Sequence, residues 1–284
     1  MKTAKKPKAQ RSQEDSVTRT LSLREDFIKA INDSYKLLST ARDLSPDNEA
    51  VAKSIMNLRQ ILTECVSPEM TKFLLTAPEL KEARKNLPEL CGRAECETEK
   101  HWARTLLAQP ACDITEFLYY PKYKALCSGE FDLFRQYSFN RISFLGSGAM
   151  PMTAFMLAHM HPNVPIVCVD SDEEACNLSR QLCEKLGLQN RMTILHMKAI
   201  DYIPVKNELV FCAALLEGKK EIYEHLDKYS SALIVRDAEG PYQFLYKAAE
   251  VPKAHFRQVA KTELNTRRDA TSRFYIHNTG QRPG

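Results

Sequence analysis

The stretch FLGSGAMPMTAFMLA, residues 144–158, marks the point where the pattern of the chain changes. Apolar residues lead into Gly146-Ser147-Gly148, and a helix-like run follows Pro151. Glycines between a strand and a helix let the backbone turn tightly and approach a ligand without a Cβ in the way. Because the chain has only nine glycines among its 284 residues, two of them in one turn indicate a ligand-binding turn.

Around this turn, short β-rich runs alternate with helix-like runs. Strands are predicted at 141–145, 166–170, 192–196, 209–212, 232–236 and 274–277, and helices at 153–159, 173–186 and 219–228. Such alternation is typical of a parallel sheet with helices on both faces. We therefore predict an α/β fold whose Rossmann-like domain, a parallel sheet able to bind a nucleoside, spans residues 138–284.

The chain before residue 138 predicts helices. Apolar residues recur at steps of three and four, the period of one buried helix face, at Leu23, Phe27, Ile31, Tyr35 and Leu38. Serine-proline pairs at 45–46 and 67–68 are typical helix starts, and a longer helix is predicted over 88–107. We expect an N-terminal helical bundle domain over residues 21–137, which could also provide a dimer surface.

The net charge of +4 comes from the first residues of the chain. Five basic residues precede the first acid, Glu14, so residues 1–20 predict a disordered basic tail. The remainder is nearly neutral, which argues against a nucleic-acid partner. No run of about 18 apolar residues predicts a membrane span, and no apolar leader segment is apparent. We expect a cytoplasmic protein without a membrane partner.

Nine cysteines invite a metal or disulfide interpretation. None forms a C-x-x-C pair, and the histidines show no ligand spacing such as H-E-x-x-H. Reduced thiols that pack as small apolar side chains explain the cysteines better. We expect no metal site.

The glycine turn differs from a dinucleotide-binding turn. The third glycine of G-x-G-x-x-G is missing, and Met150 and Pro151 stand near the helix start. A proline there removes a donor that a pyrophosphate would use, and the methionine crowds the approach. The turn suits a ligand without phosphate, such as S-adenosylmethionine.

Acids at strand ends support a nucleoside ligand. Asp170 ends the second predicted strand, where a carboxylate can accept both ribose hydroxyls. We place Ser171 beside it in the cofactor site, together with the turn residues Gly146, Ser147, Gly148, Met150 and Pro151. Asp201, just after the third strand, is placed to meet the adenine amino group. Ordinary loop acids remain the alternative.

The turn and four further stretches resemble the nicotianamine synthase family and its bacterial relatives that make opine-type metallophores. That family carries G-S-G-x-x-P-x-[ST], which Gly146, Ser147, Gly148, Pro151 and Thr153 match. The further stretches are VCVDSDEEACNLS (167–179), LCGRAECETEKHWA (90–103), FLYYPKY (117–123) and LIVRDAEGPYQFLY (233–246). The resemblance covers roughly residues 88–246.

The resemblance implies a transferase that moves the 3-amino-3-carboxypropyl group of S-adenosylmethionine to an amine and releases methylthioadenosine. Ala149 after the second glycine resembles the bacterial branch that uses histidine and passes its product to an opine dehydrogenase. We therefore expect a small-molecule amino-acid acceptor, histidine first. The alternatives are a nicotianamine synthase that condenses several S-adenosylmethionine molecules, an ordinary methyltransferase, and a non-catalytic binding module.

Glu95 and Glu99 are the candidate bases for the acceptor amine. At i and i+4 they share one helix face, and two close carboxylates can raise the pKa of one. From spacing alone, a solvated charged face explains them better, because the stretch RAECETEKHWAR is rich in charge. The resemblance implies that at least one acts, and Glu95 is our first choice.

Three tyrosines and an arginine complete the predicted site. Tyr119, Tyr120 and Tyr123 could line the sulfonium or bond the reacting amine, or they could be core aromatics. Arg236 ends a predicted strand and could grip a substrate carboxylate with Glu239 nearby, or form a structural ion pair.

Overall fold

The computed structural model of the protein describes residues 8–65, 67–229, 232–263 and 270–278, with side chains from Leu23 onward. Its centre is a sheet of seven strands: β1 (Arg141–Leu145), β2 (Ile166–Asp170), β3 (Met192–His196), β4 (Glu208–Cys212), β5 (Ala232–Asp237), β6 (Phe256–Lys261) and β7 (Thr271–His277).

The strands lie in the order β3-β2-β1-β4-β5-β7-β6. The first five are parallel, whereas β7 runs antiparallel to both β5 and β6. The order reverses at β1, which pairs with β2 on one side and β4 on the other. Ligands of such sheets bind beyond the carboxyl ends of the strands at this switch point. The predicted α/β fold is confirmed.

Within the described ranges the helices are α1 (Lys8–Thr40), α2 (Glu49–Glu64), α3 (Pro68–Thr76), α4 (Lys81–Ala108), α5 (Tyr120–Phe134), α6 (Met152–Met160), α7 (Glu173–Lys185) and α8 (Lys219–Asp227). One face of the sheet packs against α5, α6 and α7 with the end of α4, and the other face packs against α8. Because successive strand residues face opposite sides, Phe144 and Leu145 fall in different cores.

The helical region and the sheet interlock. A separate core within α1–α4 also takes in Tyr242, Phe244 and Tyr246, which follow β5. Conversely, Cys127 and Phe134 of α5 belong to the core on the sheet. The helices predicted to form their own domain therefore pack against the sheet through α4 and α5, and against the segment after β5 through the core of α1–α4.

Two helices begin earlier than the sequence predicts. Residues 1–7 lie outside the described part, but α1 begins at Lys8, inside the segment predicted as a tail. No proline or glycine interrupts residues 8–22, so the backbone continues the helix that packs from Ile31 onward. Helix α4 begins at Lys81 and runs through Pro88, because Ala83 and Leu87 before it are fully buried.

The sequence predicts neither a membrane-spanning helix nor a metal site. No helix in the described ranges is both long enough and apolar enough to cross a membrane. Across the same residues, no three His, Cys, Asp or Glu side chains group as metal ligands would.

Candidate active site

A cavity of about 1100 Å³ lies at the carboxyl ends of β1, β2 and β4. Helices α4 and α5 wall it on the side of the helical region, and the glycine turn walls it on the side of the sheet. Its volume suffices for a nucleoside donor and a small acceptor together. Twelve of the predicted site residues line it: Glu95, Glu99, Tyr119, Tyr123, Gly146, Ser147, Gly148, Met150, Pro151, Asp170, Ser171 and Arg236.

The glycine turn touches α4 directly. Gly148 has φ of 69°, and a Cβ built on it would lie 2.1 Å from Oε2 of Glu99. Its backbone N–H donates to Oδ2 of Asp170 at 2.8 Å. A Cβ there would force the Glu99 carboxylate to move and would place a side chain at positive φ, so the turn and Glu99 form one surface that favours glycine.

Two side chains of the turn region retain capacity for a ligand. Oγ of Ser147 is buried and has no hydrogen-bond partner among the described residues. Asp170 accepts from the backbone N–H of Gly148 and of Asp172, one bond on each oxygen. Each carboxylate oxygen can accept a second bond, so Asp170 can still take ribose hydroxyls.

Glu99 is a buried carboxyl group without a charged partner. It is 8% exposed, and Oη of Tyr123 donates to its Oε1 at 3.2 Å. Burial, with the nearby charge of Glu95, raises its pKa to about 8, although the bonds from Tyr123 and the Met150 backbone oppose this. No lysine, arginine or histidine within the described ranges forms an ion pair with it.

Glu95, one turn earlier, is already paired. Its Oε2 accepts from Nη2 of Arg59 at 2.8 Å and from Oη of Tyr246 at 2.9 Å. The guanidinium of Arg59 also lies 5.1 Å from the centre of the Tyr119 ring. The two glutamates thus have different partners: Glu95 has a cation, and Glu99 has only neutral donors.

Two other titratable groups on the cavity wall have shifted pKa values. Burial and the nearby Arg59 lower the pKa of Lys122 to about 8. Burial raises the pKa of the Cys96 thiol to about 12, and the acids Glu99, Glu95 and Asp170 reinforce the shift. The side chain of Cys96 is exposed, and it opens onto the cavity.

Arg236 lines the cavity but forms a structural ion pair, the alternative role that the sequence analysis gave it. Its Nε and Nη2 donate to the two oxygens of Glu130 at 2.8 and 3.0 Å, and Nη2 also contacts Thr153. Glu130 is only 1% exposed and takes a further bond from Ser272. The fork that was expected to grip a substrate carboxylate is therefore largely occupied by a protein carboxylate.

Three predicted residues lie outside the described wall of the cavity. Tyr120 packs against the same core as Tyr119 and Tyr123 but does not line the cavity. Asp201 is exposed, and Ala199 and Ile200 before it face the cavity instead. Glu239 pairs with Arg273, which the antiparallel β7 brings alongside the end of β5.

Three wall residues were not predicted as site residues. Arg59 lies 36 residues before Glu95, on a helix that matched the family only by being helical, so no local signal pointed to it. Tyr246 ends the family-like stretch 233–246 and was available as a candidate. Lys122 lies within the tyrosine-rich stretch 117–123, beside residues that were chosen.

Known proteins similar to this chain identify its family. Residues 20–266 match the family model described as nicotianamine synthase protein. Nicotianamine synthase 2 of Arabidopsis thaliana is 31% identical over 242 residues, which cover 77% of this chain and 73% of the plant protein.

Two solved structures have the same fold. A mutant of MtNAS in complex with S-adenosylmethionine has a TM-score of 0.76 at 20% identity and covers 88% of this chain and 98% of its own. MtNAS in complex with MTA and tNA has the same score and identity and covers 89% and 97%. With the family model matching most of its length, this chain belongs to the nicotianamine synthase family.

Proposed function

We propose that this protein transfers the 3-amino-3-carboxypropyl group of S-adenosylmethionine to an amine and releases methylthioadenosine. The observation that carries the proposal is Glu99, a buried carboxyl group in contact with the glycine turn and without a cationic partner among the described residues. A cationic ligand seated on the turn would supply the missing charge. The family and the MtNAS complex with S-adenosylmethionine support the identity of that ligand.

The donor is expected to lie along the glycine turn. Asp170 is placed to accept its ribose hydroxyls, and Ser147 offers a hydroxyl that no described protein group uses. Tyr119 and Tyr123 present aromatic rings to the same cavity, and an aromatic face favours a cation. With no phosphate to bind, Pro151 at the start of α6 costs the donor nothing.

Glu99 is the proposed proton acceptor. As the amine nitrogen bonds to Cγ of the donor, the Cγ–S bond breaks, its electrons remain on sulfur, and the ammonium proton passes to Glu99. A base works best when its pKa is near the operating pH, and that of Glu99 is about 8. Glu95 was our first choice from the sequence, but its pairing with Arg59 suits it better to orienting the acceptor.

Two acceptors fit the proposal. The relatives named nicotianamine synthase favour an aminobutyrate unit that comes from a second donor molecule. Ala149, which resembles the histidine-using branch, favours histidine. In that case an opine dehydrogenase would use the product.

Product analysis tests the proposal. The purified protein is incubated with S-adenosylmethionine alone, with L-histidine and with D-histidine, and the products are identified by mass spectrometry. Methylthioadenosine together with an aminobutyrate-extended amine is expected, and the arm that yields it identifies the acceptor. S-adenosylhomocysteine as the spent donor would instead establish a methyltransferase. Failure to consume any donor would favour a binding module.

A further inference from the structure

Lys100 belongs to a closed circuit, a ring of contacts that links Glu99, the proposed base, to the carboxyl end of β2, where the donor is expected to bind. Its Nζ lies 2.7 Å from Oδ2 of Asp172. The backbone N–H of Asp172 donates to Asp170, and Asp170 accepts from Gly148. Gly148 in turn lies against Glu99, the neighbour of Lys100 on α4.

Lys100 is the only side chain of this circuit that bridges α4 and α7 by an ion pair. It is 11% exposed and also approaches Glu97 at 3.3 Å and Glu174 at 3.5 Å. Asp172 caps α7 by accepting from the backbone N–H of Ala175. A displacement of Lys100 would therefore also shift the start of α7 and Asp170 beside it.

We propose that Lys100 is a positioning residue that holds Glu99 at its working distance from the donor on the glycine turn. The inference rests on the proposed function, since Glu99 must there receive a proton from an amine that attacks the bound donor. Glu99 comes from the helical region, whereas the turn and Asp170 belong to the sheet. Only contacts between these two parts can fix the separation, and errors of about 1 Å can cost about a hundredfold in rate.

Arg104 provides a matched control. It lies one turn further along α4 and also bridges to α7, through Glu174. Its side chain is half exposed, and the structure records no bond from it to Asp172. Loss of Arg104 therefore weakens the docking of the same two helices without opening the circuit.

The experiment compares Lys100→Met, Lys100→Arg and Arg104→Met with the wild type. Measurements are kcat, the Kd for S-adenosylmethionine by calorimetry, and thermal unfolding. We expect Lys100→Met to lower kcat by about tenfold or more while the donor Kd stays within about threefold. Lys100→Arg should restore most of kcat, and Arg104→Met should remain within about twofold of wild type, since exposed ion pairs contribute little.

Several outcomes would overturn the proposal. An equal fall in kcat for Arg104→Met would make Lys100 one docking contact among others. Unchanged kcat in Lys100→Met, or a loss of donor binding that matches the loss of rate, would also refute positioning. If Lys100→Met does not fold, Lys100→Gln answers the same questions. Absence of the transferred product with the wild type would count against the proposed function, whereas the ratios between variants address Lys100 alone.

Discussion

At the scale of single residues, Glu99 and Gly148 depend on each other. Glu99 is buried because the turn packs against it, and the turn can approach because Gly148 lacks a Cβ. This position destabilises the ionised carboxylate, because burial disfavours its charged form. A group that the proposed chemistry needs is thus one that the fold would be more stable without.

Glu99→Gln should abolish turnover and stabilise the protein. The folded pKa of about 8 lies above the usual 4.5, so the folded protein keeps a proton that the unfolded chain loses between these values. Stability from this group is complete below about pH 4.5 and falls as the pH rises to about 8. Above pH 8 we expect the amide to be more stable by about 1–3 kcal/mol, and this gain should shrink toward pH 4.5.

Urea unfolding at several pH values measures this difference, and calorimetry checks that the donor still binds. Glu82→Gln, on the exposed face of the same helix, is the control and should change neither activity nor stability. Glu99→Gln with wild-type turnover would remove Glu99 from the chemistry.

Gly148→Ala should inactivate the protein, whereas Gly187→Ala should not. Both glycines have similar φ, 69° and 70°, so both alanines carry comparable backbone strain of about 1–2 kcal/mol. A Cβ at 187 meets nothing within 4 Å, but one at 148 overlaps Glu99. Measuring the donor Kd and kcat of both variants separates the effect of the contact with Glu99 from the effect of backbone strain. Equal effects would show that strain alone matters.

At the scale of elements, α4 organises the site. Its face toward the cavity carries Glu95, Cys96 and Glu99, and Gly92 lets it approach Leu215 in the loop after β4. A Cβ on Gly92 would lie 2.9 Å from Cδ2 of Leu215. The ion pair of Arg59 with Glu95 joins α2 to α4. The hydrogen bond from Tyr246 to Glu95 then joins these helices to the segment after β5.

Arg59→Met should destabilise the protein through Glu95. The variant leaves a largely buried carboxylate without its cation, which typically costs about 3 kcal/mol or more. Adding Glu95→Gln should recover part of the loss, because the unpaired charge disappears. Urea unfolding of both single variants and the double variant gives the coupling energy. Additive losses would mean that the two side chains stabilise the fold independently.

How well the sequence predicts each element depends on its burial. The bounds of β1, β2 and β3 are confirmed, because apolar runs between turn residues identify interior strands. Strand β6 escaped prediction, since only Phe256 of its six residues is buried. For the site, helix periodicity paired Glu95 with Glu99, but nothing local linked Arg59 to them. Tertiary packing alone brings that residue to the cavity, so its role could only be found in the structure.

At the scale of the whole molecule, the cavity lies between the helical region and the sheet, and both contribute charge to it. Glu95 comes from one part and Asp170 from the other, and both raise the pKa of Glu99. Burial between the two parts is the largest cause of the raised pKa of Glu99.

The rate should consequently rise with pH. For kcat/KM of the donor we expect a midpoint near pH 8, since the free enzyme must lose the proton of Glu99. The midpoint of kcat should be lower, because the bound sulfonium favours the carboxylate. Tyr123→Phe removes a bond that favours the charged form and should move the first midpoint upward. A flat profile from about pH 6 to about pH 9 would exclude Glu99 as the base.

Cys96 has a consequence for the durability of the enzyme. A sulfonium donor is an alkylating agent, and a thiolate attacks carbon more readily than an amine does. Here Cys96 opens onto the chamber where such a reagent would be held, yet burial raises the pKa of its thiol to about 12. Burial, reinforced by the nearby carboxylates, thus keeps this thiol in its less reactive protonated form, which disfavours its alkylation by a donor bound in the same chamber.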